Sequence, residues 1–486
     1  MEDNTEISEI TSHYEPFLLS KVSLSETPQV KLFRDQVILN PTISKINFYA
    51  FLLFDTYIAF IFLPITLLQG PLLRLKYDIS EVDDRADVTY ITNIFRVLYK
   101  IMIAPRLAYC CDRFGRRTMI TIGVILVSIA AFLLPNLPDI YLPSLPDIYP
   151  EYPLVLLILD TGILCLQSAP LLADYIDYET KGRVSGITVV ISFVASTIST
   201  YSIENMDLKT ELTAWFYGLG IFGLILGLVM VLGLKEGLYH KNLFFDRKAE
   251  AAKRRITLLF QYDELNLNEL NKAIEPNAVY KNMKPGFMAG IREARNPWIL
   301  TGYICTFLFM QNHALFGFIL ITYVTDMTQD PTSVIQAYAL NNRHMIVGCL
   351  TALIFGFYAD KRNKFKLIIF ILFTSMFGVL LLILTPSPYN VIAYISMGFL
   401  GMSSAGYKTI MTQLLGKYAT PKFRASVAGI ESICGVIGAS TSQILGVYLT
   451  KEDPLFPFVM NLSCSFIGLF LLGLVYVAKR DILMRL

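Results

Sequence analysis

Apolar runs of about 20 residues, the length a helix needs to cross roughly 30 Å of hydrocarbon, recur along almost the whole chain. They predict twelve membrane-spanning helices, at 47–69, 88–110, 117–134, 152–175, 184–203, 214–234, 298–321, 333–358, 366–385, 389–412, 424–449 and 456–478. A polar stretch separates six spans from six. The expected organisation is therefore an all-α polytopic protein with a polar N-terminal tail (1–46), a six-helix bundle (47–234), a linker (235–297), a second six-helix bundle (298–478) and a short C-terminal tail (479–486).

Composition agrees with a lipid-embedded body. The 486 residues are 54% hydrophobic and only 16% charged, against about 25% charge in soluble domains. Formal net charge is +2, which gives no basic field for nucleic acid. The seven cysteines are odd in number, lie in or beside apolar segments and lack paired ligand spacing, so they read as small apolar fillers. No zinc-ligand spacing, phosphate-binding lysine loop or nucleophile elbow is present, and hence no metal, cofactor or enzyme signature.

Lysine and arginine set the orientation. The N-terminal tail, the loops after even-numbered spans and the C-terminus together carry 31 of them, whereas the opposite side carries Arg74, Lys76, Arg85, Lys209 and Lys451. Both termini and the linker are thus expected on the cytoplasmic side, or on the matrix side of a mitochondrial inner membrane. The start, MEDNTEISEI, has no apolar signal core and is acidic, unlike a cleavable signal or standard presequence. In the linker, a basic run (Arg247, Lys248, Lys253, Arg254, Arg255) and the helix-like LNLNELNKAI fit contact with anionic headgroups or docking of a partner. Residues 1–46 and 235–297 are accordingly the candidate contacts for partner subunits.

Two motifs repeat between the halves. Ala108-Tyr-Cys-Cys-Asp112-Arg113-Phe114-Gly115-Arg116-Arg117 follows span 2, and Gly356-Phe-Tyr-Ala-Asp360-Lys361-Arg362-Asn363-Lys364 follows span 8, with an offset of 248. Lys181-Gly182-Arg183-Val-Ser-Gly186 opens span 5 and Arg424-Ala425-Ser-Val-Ala-Gly429 opens span 11, with an offset of 243. The acid followed by a basic cluster, its second copy and the six-plus-six layout resemble the major facilitator superfamily of secondary transporters. That resemblance implies two pseudo-symmetric six-helix bundles that rock around a central site. It also implies a gating role for Asp112, Arg113, Gly115, Arg116, Arg117, Asp360, Lys181 and Arg424. Ala108 and Asn363 stand where the family carries glycine, which is expected to loosen a close helix approach. Lys100-Ile-Met-Ile-Ala104-Pro105 resembles a K-x-x-x-A-P stretch of the acetyl-coenzyme A transporter and muropeptide permease branch, although Asp112 lies further from the proline.

Ionisable residues deep in the spans carry the candidate chemistry. Asp55, Arg96, Lys100, Asp160, His313, Arg343, His344 and Glu431 lie several residues from either span end. Arg106 and Lys408 are nearer the ends, within snorkelling distance. A central Asp, Lys or Arg facing lipid costs about 2.5–3.5 kcal/mol, so these groups are expected to face inward. The resemblance makes spans 3, 6, 9 and 12 peripheral, and away from their loop ends these four contain no ionisable residue.

Arg96 and Lys100 share a helix face with Asn93, and the repeat sets Asn341 opposite Asn93 and His344 opposite Arg96, with Arg343 one residue off. Arg96, Lys100, Asn93, Arg343, Asn341 and His313 are therefore the candidate substrate residues, forming an anion clamp with His313 as a proton-relay candidate. Asp55, Asp160, Glu431 and His344 are the candidate proton carriers or counter-ions. With histidine neutral the deep set holds three positive and three negative charges, so static pairing is the alternative. Glu431, Gly435, Gly438 and Ser442 recur at helical spacing, a pattern of close helix packing. The repeated Leu-Pro-Asp-Ile-Tyr at 137–141 and 145–149 reads as a rigid outer loop with interfacial tyrosines.

The expected function is secondary transport, by symport or antiport, of a small and anionic organic solute, with protons as the candidate coupling ion. The alternative is a transporter-derived structural subunit of a larger membrane complex, which the departures at Ala108 and Asn363 favour.

Overall fold

A computed structural model describes residues 30–33, 36–40, 43–62, 64–65, 68–77, 82–137, 151–204, 208–235, 287–316, 320, 323–324, 334–360, 364–420, 423–450 and 452–484. The tandem Leu-Pro-Asp-Ile-Tyr stretch beyond residue 137, the basic run of the linker, Asn363 and the side chain of Asp112 lie outside the described residues.

Twelve long helices dominate the described residues. They are α1 (Lys45–Tyr57), α2 (Val82–Phe114), α3 (Arg116–Leu133), α4 (Glu151–Gln167), α5 (Lys181–Glu204), α6 (Leu208–Gly233), α7 (Pro297–Ala314), α8 (Val334–Asp360), α9 (Lys364–Ile383), α10 (Val391–Tyr418), α11 (Arg424–Ser440) and α12 (Phe456–Met484). Each matches one expected span, and seven stretches are long and apolar enough to cross a membrane by length and composition.

Local chemistry sets several ends. Ser44 and Asn47 form a reciprocal capping box at the start of α1. Asn296 caps α7 with Pro297 in its first turn, where the missing N–H costs nothing. Gly115 alone separates α2 from α3 and has φ 98°, a backbone state that a side chain disfavours. α4 stops at Gln167 and resumes as the short helix Leu171–Tyr175 after Pro170. Both α1 and α11 continue into π-helical segments, Ile58–Phe62 and Thr441–Gly446.

Within the first group of helices α3 packs on α4 and α6, and α6 on α1. Within the second, α10 packs on α7, α8 and α9, and α12 on α7 and α9. The two groups meet along a seam in which α5 lies on α8 and α10, and α2 on α11. The helices expected at the periphery carry long apolar stripes outward, such as Ile221, Ile225, Leu228 and Leu232 on α6 and Phe466, Phe470, Leu474 and Val477 on α12.

Small residues permit the seam. A β-carbon on Gly356 of α8 would lie 2.7 Å from the Gly182 carbonyl oxygen and 2.9 Å from the Gly186 Cα of α5. At the pseudo-equivalent crossing of α2 and α11, a β-carbon on Gly429 would lie 2.8 Å from that of Ala108. Here the β-carbon on Gly429 meets the Ala108 methyl with the nearest backbone atom of α2 at 3.6 Å, whereas that on Gly356 meets the backbone of α5 directly, the difference expected where alanine stands in place of glycine.

Ahead of α1 a small hairpin pairs β1 (Lys31–Leu32) antiparallel with β2 (Val37–Ile38). Leu39 then bridges to Ile176 in the connection between α4 and α5. Val37 and Leu39 are fully buried, so this part of the N-terminal tail packs on its own chain.

Candidate functional site

The end of the bundle that carries Gly115 and the expected basic loops is called the basic end. Two polar clusters lie deeper in the bundle, and a set of latches lies at that end.

The first deep cluster joins α2 to α4. Arg96 grips Asp160 with two donors, Nε to Oδ2 at 2.7 Å and Nη2 to Oδ1 at 2.8 Å. Lys100 Nζ lies 2.9 Å from Asp160 Oδ1, and Asn93 Oδ1 accepts from Arg96 Nη1 at 3.4 Å. The i, i+4 face expected for Asn93, Arg96 and Lys100 thus exists, but Asp160 occupies both cations. Asp160 is wholly buried and Lys100 keeps 22% of its side chain accessible. Static pairing, the alternative to an open clamp, describes these three charges.

The second cluster spans the two groups of helices. Asp55 of α1 and Lys408 of α10 are both half-buried, and each lies within the other's electrostatic reach. Among the described residues neither makes an ion pair within 4.0 Å. Lys408 lies 6.0 Å from the Phe193 ring centroid, and its charge also reaches His313 of α7, which stacks on Phe309 at 5.7 Å. Beside them His344 of α8 is buried, with Nε2 3.0 Å from Ser404 Oγ and the rings of Phe193 and Phe316 against it. The apolar run ends at 412 and so puts Lys408 near a span edge, but its neighbours Asp55, Phe193 and His313 come from three other helices and place it within the bundle.

Three expected site residues stand elsewhere. Arg343 is exposed, on the outward stripe of Ile346, Leu350, Leu353 and Phe357, with its guanidinium 6.0 Å from the Tyr394 ring centroid. The expectation of Arg343 in an inward clamp is corrected. One residue along a helix is about 100° of rotation, so the register that turns His344 inward turns Arg343 out. Asn341 is buried on α8. Glu431 of α11 is half-buried and its electrostatic neighbours are Tyr303 and Cys434. The small-residue stripe beyond it is helix packing: a β-carbon on Gly438 would strike Phe307, and Ser442 Oγ donates to the Gln311 carbonyl at 2.9 Å.

At the basic end the motif residues hold the two groups together. Asp360 ends α8 and accepts from the first amides of α5, Gly182 N–H at 2.8 Å and Arg183 N–H at 2.9 Å, as a carboxylate at a helix N-terminus should. Lys181 Nζ donates to the Gly416 carbonyl at 2.8 Å, placing a cation at the C-terminal end of α10. Asp174 receives Arg116 Nε at 3.2 Å and Arg424 Nη1 at 3.0 Å, one arginine from each group. Arg116 also donates to the Cys111 carbonyl at 3.1 Å. Arg113 and Arg117 are exposed. Sequence reasoning missed Asp174, which lies 58 and 250 residues from the two arginines it binds, outside either repeated motif, and is brought between them by the tertiary fold.

Nearby, Glu293 is buried and accepts from Thr420 N–H at 3.0 Å and Thr420 Oγ1 at 2.9 Å. Burial pushes its carboxyl above the usual range, with the Thr420 bonds opposing. Among the described residues no group of three or more His, Cys, Asp or Glu could hold a metal ion.

A central polar cluster, two helix groups meeting along crossings of small residues and charged contacts at one end are the features of this fold that bear on its class. The Major Facilitator Superfamily profile matches residues 46–443, and the chain belongs to that superfamily. It is a polytopic membrane protein of a transporter family, acting on small molecules in the bilayer rather than as an enzyme. No curated protein matches the chain by sequence. Among solved structures it is similar to the human organic anion transporter MFSD10 (TETRAN), at 13% identity and TM-score 0.61, over 88% of this chain and 100% of that one. It is also similar to the proton:xylose symporter XylE bound to 6-bromo-6-deoxy-D-glucose, at 13% identity and TM-score 0.62, over 88% and 96%. At such identities the likeness is one of fold.

Proposed function

We propose that the protein is a secondary transporter of a small organic anion, working by alternating access, with Lys408 rather than Arg96 or Lys100 as the anchor for the substrate's charge. The observation that carries this is the contrast between the two deep clusters. Arg96 and Lys100 are already matched by Asp160, whereas the half-buried Lys408 makes no ion pair among the described residues and lies on a helix of the seam. With Arg343 turned outward and Lys408 inward, Arg96, Lys100 and Lys408 are balanced by Asp55, Asp160 and Glu431, so protonation of Asp55 leaves a net positive site that favours an anionic guest. His313 adds a donor beside Lys408.

Asp55 supplies a route to proton coupling. Ionised, it attracts Lys408; protonated, it leaves Lys408 to the substrate. Anion and proton then bind together and travel together. The basic end, closed by Asp360, Asp174 and Lys181, faces the cytoplasm or matrix in this reading, in line with the 31 to 5 distribution of Lys and Arg.

The contacts of Asp360, Lys181 and Asp174 across the seam at the basic end support a working gate over a purely structural subunit. Uptake by proteoliposomes of a panel of labelled mono- and dicarboxylates and organophosphates tests the reading. Uptake of at least one that is lost in Lys408→Gln is expected; uptake of none, or only of neutral and cationic controls, overturns it.

A further inference from the structure

Among the described residues the segment 174–183 between α4 and α5 supplies several polar contacts across the basic end: Asp174 to Arg424, Lys181 to Gly416, and the amides of Gly182 and Arg183 to Asp360. The N-terminal hairpin is seated on this same segment. Asn40 N–H donates to the Tyr175 carbonyl at 2.8 Å, and Asp177 N–H to the Ile38 carbonyl at 2.9 Å. Ile38 N–H donates to Thr180 Oγ1 at 3.2 Å. Asn40 Nδ2 donates to the backbone carbonyl of Asp174 at 2.7 Å, and Arg183 Nη1 to Gln36 Oε1 at 3.1 Å. Val37 and Leu39, both fully buried, fix the strand in place.

We propose that residues 30–33 and 36–40 form a strap that sets how readily the basic end opens, by holding the 174–183 segment in the conformation its latches require. The physical reason is coupling through one backbone. Asp174 meets both arginines only while the carbonyls of Asp174 and Tyr175 stay where Asn40 holds them, and the amides of Gly182 and Arg183 point at Asp360 only while Thr180 is seated on Ile38. The hydrogen bonds of Gln36, Ile38 and Asn40 named above go to the 174–183 segment, so the strap acts on the gate by ordering the segment that crosses the seam. Releasing the strap shifts the protein toward the state open at that end, and fixing it shifts the protein the other way.

The strap rests on the alternating-access reading, and one experiment separates the two. In the full chain, with its native cysteines replaced and reconstituted in nanodiscs, Ser185→Cys reports the seam; Ser185 is fully buried and donates to the Thr409 carbonyl at 2.9 Å. Its reaction with a membrane-impermeant maleimide is timed. Asn40→Ala is expected to speed labelling by about tenfold, the shift that losing one net hydrogen bond produces, and Val37→Asp, which puts a carboxylate in a fully buried apolar site, by at least as much. A Leu39→Cys, Ile176→Cys disulfide, joining bridge partners, is expected to slow it until dithiothreitol is added. Asp360→Asn, which breaks a latch directly, is the reference for opening. Faster labelling in Asp360→Asn with unchanged rates in Asn40→Ala and in the disulfide-fixed chain overturns the strap alone. Unchanged labelling in Asp360→Asn as well overturns alternating access and the strap with it. Asn40→Ala and the disulfide decide the matter if Val37→Asp does not fold.

Discussion

Lys408 of α10 and Asp55 of α1 lie within each other's field across the seam, and among the described residues neither is tied into an ion pair. A carboxylate and an ammonium so placed in lipid-embedded helices are costly to keep and have capacity left for a guest. The charges of the neighbouring cluster, locked on Asp160, do not.

Asp55→Asn is expected to separate anion movement from proton movement. Exchange of internal for external anion should persist, while stimulation of uptake by an inward proton gradient should vanish. Uptake of the wild type that is indifferent to the gradient would exclude the coupling.

Asp160 neutralises two cations at once, so Asp160→Asn should destabilise the protein far more than it alters specificity. Leaving buried charge unpaired costs about 3–5 kcal/mol. A clear drop in melting temperature in detergent, by fluorescence-detected size exclusion, is the expected result; an unchanged melting temperature would show that water already solvates the pair.

Gly356→Val places side-chain carbons where Gly182 and Gly186 now pass. The helices α5 and α8 should then fail to close at the basic end, and labelling of Ser185→Cys should rise to at least the level of Asp360→Asn. A β-carbon added at Gly473 would have nothing within 4 Å, so Gly473→Ala provides the neutral comparison.

Glu293 gives a pH signature. Its folded-state carboxyl is raised by burial, so between the ordinary glutamate range and that raised value the folded chain binds more protons than the unfolded one. Its contribution to stability is complete below the ordinary range and is lost as pH rises through the folded value. Glu293→Gln should therefore gain stability relative to wild type as pH is raised from 4 toward 8 in a series of melts, with no pH-dependent gain if the carboxyl is unperturbed.

Much of the fold was legible because a span must be apolar over its whole length, and all twelve helices fall on apolar runs. Helix ends were less so: α2, α10 and α12 overrun their runs, since hydropathy reports depth in lipid and not where hydrogen bonding stops. Lys408 was concealed because α1, α5 and α7, not the length of its own run, set its surroundings. The gate was legible in part, because Asp360, Arg116, Lys181 and Arg424 sit in repeated motifs, while Asp174 has no counterpart in the repeat and gains its place only through tertiary contact. Arg96 was put on the correct face, but its pairing with Asp160 joins helices 64 residues apart in sequence. Arg343 shows how sharply register decides: one position from His344, it faces outward.

The most direct measurement is uptake of a transported organic anion by proteoliposomes carrying Lys408→Gln beside Lys408→Arg. Loss of more than about 90% of uptake in the glutamine variant, with substantial recovery in the arginine variant, is predicted from a substrate anchored by charge. Wild-type uptake in Lys408→Gln, from protein that remains monodisperse, would contradict it.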